Sequence, residues 1–425
     1  MHNAPSGITD HEFCAEVRRL ARAHRPGYSV PPIAYVLLLA MLGAPLPANA
    51  QPTQFRRLSV DHGLPSHYIT TIYQDSKGFM WFGTDAGLCR YDGRTCKVFK
   101  NVPSDTTTLA GNAIWSLCED RHANLWVGTY NGGLNKLDLK TEKITRMAST
   151  SILPAALHTV PIKALLVDND VLWIGTFGAG LGMLDLSTNA FHLFTHDSLD
   201  PGSIADDVIF WILQDHAGTI WVGTAGGLCA FEPARQTFTR FVHDPRNPRS
   251  LSNNIVVTVF EDHRNRLWVG TKDGLNLLDR GSGSFVCFGT PAPRGISNSS
   301  VYAIGEHFTR MDTSLWIGTD GGGVNRYDER THSFHVFVNT TNDPSSISDN
   351  NVTCMFTDRS GAMWIGTLQG GVNRIDTERK NVRHWRHDAA NPNSLPRGGV
   401  YSLAQDSLGF FWIGTYAGGL CRYDV

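Results

Sequence analysis

The tetrapeptide Trp-x-Gly-Thr occurs eight times in this 425-residue chain, and that repetition constrains the fold more than any other feature. Its tryptophans are Trp81, Trp126, Trp173, Trp221, Trp268, Trp316, Trp364 and Trp412, at spacings of 45, 47, 48, 47, 48, 48 and 48. A period in the forties built from short apolar runs, without long 3.6-periodic segments, predicts four-stranded propeller blades rather than helical repeats. Each repeat opens with an apolar run such as Ile69-Thr-Thr-Ile-Tyr73. In six repeats an Asp follows, six residues before the Trp: Asp75, Asp120, Asp215, Asp262, Asp358 and Asp406. Gly78, Gly218, Gly361, Gly409 or Asn265 comes three residues after it, which reads as a hairpin turn needing positive φ. The Trp-x-Gly-Thr strand and a Gly-rich turn come next, for example Asp320-Gly-Gly-Gly323. A third strand such as Leu88-Cys-Arg-Tyr-Asp92 and a fourth with aromatics three apart complete the unit. The 42 glycines fit a chain of many tight turns.

The fold expected is all-β: a β-propeller of four-stranded blades with eight repeats over residues 51–425. The recurrent Trp belongs at the contact between blades, where a large flat apolar body is useful. Phe55-Arg-Arg-Leu58 precedes the first inner strand, where fourth strands lie elsewhere, and so reads as an orphan strand that pairs with an incomplete blade to close the ring. This reasoning holds for any whole number of repeats, so an eight-bladed ring and a shorter one both satisfy it.

Residues 1–50 read as an export leader. Arg18, Arg19, Arg22 and Arg25 precede the apolar run from Ile33 to Ala44, and Ala48-Asn49-Ala50 has the small-x-small form of a cleavage site. The mature chain would begin near Gln51 in a Gram-negative periplasm, with an uncleaved membrane anchor as the alternative. The basic stretch is long for such a leader, which points to a true start downstream. Seven of the eight cysteines follow the leader. An odd number with no C-x-x-C argues against a disulfide framework, and Cys89, Cys229 and Cys421 share one repeat position as small apolar residues. A net charge of −2 argues against nucleic acid as a partner.

The pattern D-x-x-G-x-L-W-I-G-T-x-x-G-G-L-x-R-Y-D resembles the two-component regulator propeller repeat. The opening from Gly63-Leu64-Pro65-Ser66 to Gly78-Phe79-Met80-Trp81-Phe82-Gly83-Thr84 is similar to that family's first repeat. The resemblance covers about residues 55–425. It implies a periplasmic sensor region of a hybrid histidine kinase or a diguanylate cyclase, whose relatives carry two seven-bladed rings followed by further domains. It therefore favours a seven-bladed ring with the eighth repeat starting a second one, a single eight-bladed ring being the alternative. It also implies kinase or cyclase domains, absent from this chain, as partners, and leaves homodimerisation open.

No H-E-x-x-H, G-x-S-x-G, P-loop, kinase or cyclase motif is present. The turn aspartates recur too regularly to be paired catalytic carboxylates. His196-Asp197, His243-Asp244 and His387-Asp388 fall one per blade and read as turn caps, not metal ligands. Asp168-Asn169-Asp170 lacks the Gly and distal Glu of a calcium loop and reads as a shortened hairpin. No metal, cofactor or catalytic residue is assigned.

Scaffold positions repeat, so recognition residues should be those that vary between equivalent positions. Near the start of the inner strand the series runs Thr70, Trp115, Lys163, Phe210, Val257, Tyr302, Thr353, Tyr401. Just after Trp-x-Gly-Thr it runs Asp85, Tyr130, Phe177, Ala225, Lys272, Asp320, Leu368, Tyr416. Both are expected near one mouth of the central channel. The candidate ligand-binding residues are Trp115, Lys163, Phe210, Tyr302, Tyr401, Tyr130, Phe177, Lys272, Asp320 and Tyr416. Aromatics with a few charges suit an oligosaccharide, by stacking and hydroxyl hydrogen bonds. The function expected is non-catalytic ligand sensing. The alternatives are a polysaccharide lyase using Lys163, Lys272 and Tyr130, and a protein-interaction scaffold.

Overall fold

The computed structural model describes residues 53–425 apart from 293–294, 309–312, 377–386, 388, 390, 392, 407–409, 417 and 424–425. The leader thus lies outside the described residues. No helix among those described is long and apolar enough to cross a membrane. Strands dominate, with three short 3-10 turns.

Seven four-stranded antiparallel sheets and one three-stranded sheet are formed among the described residues. The innermost strands of the seven are Ile69–Gln74, Ile114–Glu119, Ile162–Asp168, Ile209–Gln214, Val256–Glu261, Val301–Phe308 and Val352–Thr357. Each contacts the next, and Val352–Thr357 returns to contact Ile69–Gln74. The N-terminal strand Arg56–Leu58 pairs with Val372–Ile375, in the register Arg56↔Arg374 to Leu58↔Val372. The orphan strand therefore completes the seventh sheet, and the ring closes there. The core divides the same way, into seven clusters that each lie between neighbouring blades. Trp81, for example, packs with Ile114 and Val127 of the second blade, and Trp364 with Ile69 and Phe82 of the first.

Every part of Trp-x-Gly-Thr has a physical task. The Trp indole fills the interblade contact, and in six repeats its N–H donates to the turn Asp, as from Trp81 to Asp75 at 2.8 Å and from Trp364 to Asp358 at 2.7 Å. The other Asp oxygen accepts the turn's own backbone, Lys77 N at 3.0 Å and Phe79 N at 2.9 Å in the first blade. The Gly is steric: a Cβ on Gly128 would lie 2.8 Å from Ile162 of the next blade, and one on Gly366 would lie 2.8 Å from Ile69 across the ring closure. The Thr hydroxyl closes the following turn, as in Thr84 to the Gly87 carbonyl at 2.7 Å.

Repeats three and six lack the turn Asp. Trp316 donates to Ser314 instead, at 2.9 Å, whereas the buried Trp173 N–H has no partner. The His-Asp connectors are local caps, with His196 against the Ile204 carbonyl at 2.8 Å and His243 against that of Leu251 at 2.7 Å. Cys89 and Cys229 are fully buried, in keeping with their reading as small apolar residues, and no disulfide joins the described cysteines. No group of His, Cys, Asp or Glu among the described residues is arranged to hold a metal.

The eighth sheet, Val400–Gln405, Phe411–Thr415 and Gly419–Tyr423, stands outside this ring of contacts. Leu420 is exposed there, although its counterpart Leu88 is wholly buried in the first blade.

Candidate functional site

The register of the inner strands locates the first variable series. In every blade the pairing between first and second strands skips one residue. The skipped residues are Thr70, Trp115, Lys163, Phe210, Val257, Tyr302, Thr353 and, in the eighth sheet, Tyr401. A β-bulge frees its extra residue from the ladder and re-aims its side chain. Seven bulges side by side around the ring line the channel with side chains of six different types, Thr alone occurring twice.

The second series is tied to the same rim by backbone hydrogen bonds. Tyr130 N donates to the Ala113 carbonyl at 2.8 Å, Phe177 N to that of Pro161 at 2.9 Å, and Lys272 N to that of Ile255 at 3.1 Å. Residues just after Trp-x-Gly-Thr therefore sit against residues just before the bulge.

Between the inner strands lies a cavity of about 680 Å³, lined at the bulges by Thr70, Trp115, Lys163, Phe210, Val257, Tyr302 and Thr353. An aromatic cluster crosses blades two to four at the rim. The Trp115 ring lies 4.7 Å from Tyr130 and 5.9 Å from Phe177, and Phe177 lies 5.8 Å from Phe210. Tyr130 and Phe177 are about half exposed, a large apolar surface left in water. Lys163 Nζ stands 5.2 Å from the centre of the Trp115 ring, and burial holds its ammonium below the ordinary lysine range. Lys272 lies 4.3 Å over the Tyr302 ring and donates to the Tyr302 hydroxyl. Thr70 and Thr353 turn their hydroxyls to the Ile114 and Ile69 carbonyls of the adjoining blades, so two bulges tie neighbouring blades together, the second across the ring closure.

The acids on the cavity wall are already matched. Glu261 pairs with His216 and with Arg280, both at 2.7 Å, Glu306 with His263 at 2.7 Å, and Asp262 with Arg266 at 2.6 Å. Cys354 also lines the cavity, and burial pushes its thiol up to about 12, so it is protonated at neutral pH.

Of the ten candidates, Trp115, Lys163, Phe210, Lys272 and Tyr302 line the cavity, and Tyr130 and Phe177 extend the cluster. Tyr401 and Tyr416 are corrected. Their rings lie 5.5 Å apart and tilted on the eighth sheet, and neither lines the cavity, because that repeat's inner strand does not join the ring. Asp320 is an exposed rim residue that is not on the cavity wall.

Trp211 was missed. It follows the bulge at a position held in the other ring blades by Thr71, Ser116, Ala164, Thr258, Ala303 and Cys354. Several of these abut the Gly of Trp-x-Gly-Thr: Cβ atoms built on Gly83 and Gly366 would lie 2.5 Å from Thr71 and Cys354. Trp211 pairs with Gly223 in register yet makes none of that Gly's nearest contacts, lines the cavity, and keeps 36% of its surface exposed. Its break with the small-residue series was the available signal.

A closed ring of radial four-stranded sheets around a central cavity is a β-propeller. Its repeats match the model of the two component regulator propeller over residues 63–86, 108–131, 203–226, 250–273, 346–369 and 394–417. Six of the eight repeats are thus two-component regulator propeller repeats, and the two left unmatched are those without the turn Asp. Its fold is similar to an extracellular domain from B. thetaiotaomicron described as that of a hybrid two component system. The TM-score is 0.64 at 21% identity, covering 88% of this chain and 54% of that one. A second extracellular domain from the same organism, described as that of a one component system, has a TM-score of 0.63 at 22% identity, covering 88% and 46%. Over 75 residues, 18% of this chain and 6% of the other protein, the sequence is 33% identical to Histidine kinase P4 of Formosa agariphila. The chain spans about half the length of the two structures it resembles and a small fraction of the kinase.

Proposed function

We propose that residues 51–425 form the ligand-binding module of a two-component-type sensor, exported to the periplasm once the leader is removed. The ligand docks at the bulged mouth of the channel and is not turned over. The observation that carries this reading is the seven-fold bulge. Where the scaffold repeats most faithfully, the side chains aimed at the cavity repeat least. The ligand class is carbohydrate: the half-exposed rings of Tyr130 and Phe177, with Trp115 on the cavity wall beside them, suit the apolar faces of sugar rings, and the rim supplies polar groups for hydroxyls. The signal passes to kinase or cyclase domains, in keeping with the descriptions of the similar extracellular domains.

The test is a glycan-library thermal shift on the chain, followed by product analysis of each hit. A ligand present at 100 times its Kd stabilises by about 2.7 kcal/mol. W115A and W211A should abolish the shift; W211A should leave the free protein within about 0.5 kcal/mol, and W115A should cost it about 1–3 kcal/mol through its lost ring contacts without unfolding it. Cleaved product that disappears in K163M or Y130F would establish the lyase reading instead. Shifts that survive both tryptophan substitutions would place the ligand elsewhere.

A further inference from the structure

Lys163 is the one bulge residue of the ring with a charge, and nothing among the described residues neutralises it. No carboxylate lies within ion-pair distance of its Nζ and no acceptor takes its protons; its one close polar contact is the face of Trp115. The wall acids are matched by His216, Arg280, His263 and Arg266. The neighbouring hydroxyls of Thr70 and Thr353 donate to ring carbonyls. Lys272, on another part of the wall, is held by Tyr302. An ammonium kept half-buried without a counter-charge costs stability, and an incoming anion removes that cost.

We propose that Lys163 is an anion-binding group of the channel. The ligand carries a carboxylate, sulfate or phosphate that enters the cavity and pairs with the Lys163 ammonium, while its ring lies over Trp115 and Tyr130. The geometry offers a charge-assisted contact at Nζ with a flat apolar wall beside it, which is the complement of an acidic group on a ring. This inference rests on the reading above for where the ligand sits, and it narrows the class from carbohydrate to acidic carbohydrate. A free anion presents the same chemistry to Lys163, so the test must separate the two.

Thermal unfolding of the full chain in sodium sulfate is compared with sodium chloride at matched ionic strength, for wild type, K163M and K163R. Circular dichroism first establishes that all three are folded. Sulfate should protect wild type and K163R beyond its general effect on K163M. Calorimetry then compares trigalacturonic acid with its methyl ester. The acid should bind about tenfold or more tightly to wild type, K163M should erase the difference and K163R should restore it. Equal sulfate protection in K163M, or equal affinity for acid and ester in wild type, overturns the anion assignment and leaves the carbohydrate reading intact. Sulfate protection lost in K163M, with neither trimer bound, upholds the anion site and removes the carbohydrate reading.

Discussion

Replacing tryptophans by phenylalanine, blade by blade, separates the two tasks of the repeated indole. Trp268 is wholly buried and donates to Asp262 at 2.8 Å, an Asp that also receives the backbone N–H groups of Arg264 at 3.0 Å and Arg266 at 2.9 Å. W268F loses a hydrogen bond to a charged acceptor, about 1.5–3 kcal/mol. It also leaves a small void, about 1–2 kcal/mol. Trp173 is nearly as buried, but its N–H is unpartnered. W173F creates the same void while removing an unsatisfied buried donor that costs about 1–3 kcal/mol, so the two effects roughly cancel. The expected gap between the variants is about 3 kcal/mol. At about 2 °C per kcal/mol for a domain of this size, that is about 6 °C in Tm. Thermal and urea unfolding of both variants, with near-ultraviolet dichroism to follow packing, measures it. Equal losses would mean that the indole–Asp bond contributes nothing beyond ring packing, and the account of the turn Asp would fall.

Three more outcomes follow from the same geometry. Burial pushes the Asp262 carboxyl up, but hydrogen bonds from Trp268 and from the Arg266 backbone and side chain outweigh it and hold the group below its ordinary value. Its contribution is therefore complete above the unfolded value near 3.9 and is lost as pH falls through the lower folded value, so D262N should flatten the decline of the urea midpoint between about pH 5 and pH 2. Phe55 is buried against Trp316 and Ile375 beside the closing strand, so F55A should cost about 3–5 kcal/mol in urea unfolding, and a chain lacking residues 53–58 should self-associate by light scattering through the bared edge at Val372–Ile375. A Cβ at Gly366 would meet Cys354 at 2.5 Å and Ile69 at 2.8 Å, so G366A should lower stability by about 1–3 kcal/mol, whereas G78A, with nothing within 4 Å, should show only the smaller backbone cost of its positive φ.

Much of this architecture is written in the chain itself. Eight copies of Trp-x-Gly-Thr at near-constant spacing specify one blade of strands and turns per repeat, because the copies restate the same local chemistry: a turn Asp in six of them, an interblade Trp, a Gly too crowded for a Cβ and a Thr that closes the next turn. The variable series was legible for the same reason, since departures stand out against a repeat. Ring closure was not. Phe55-Arg-Arg-Leu58 could complete the blade of any repeat, and its pairing with Val372–Ile375 depends on how much each interblade wedge turns the sheet, a sum over seven packed interfaces. The same closure separated Tyr401 and Tyr416 from the mouth, although their local sequence matches that of ring residues. The bulges and the lack of a partner for Lys163 likewise emerged only in three dimensions. Whether a side chain meets a neighbour's glycine, a carbonyl or an open channel is decided by the blade beside it, nearly fifty residues away along the chain.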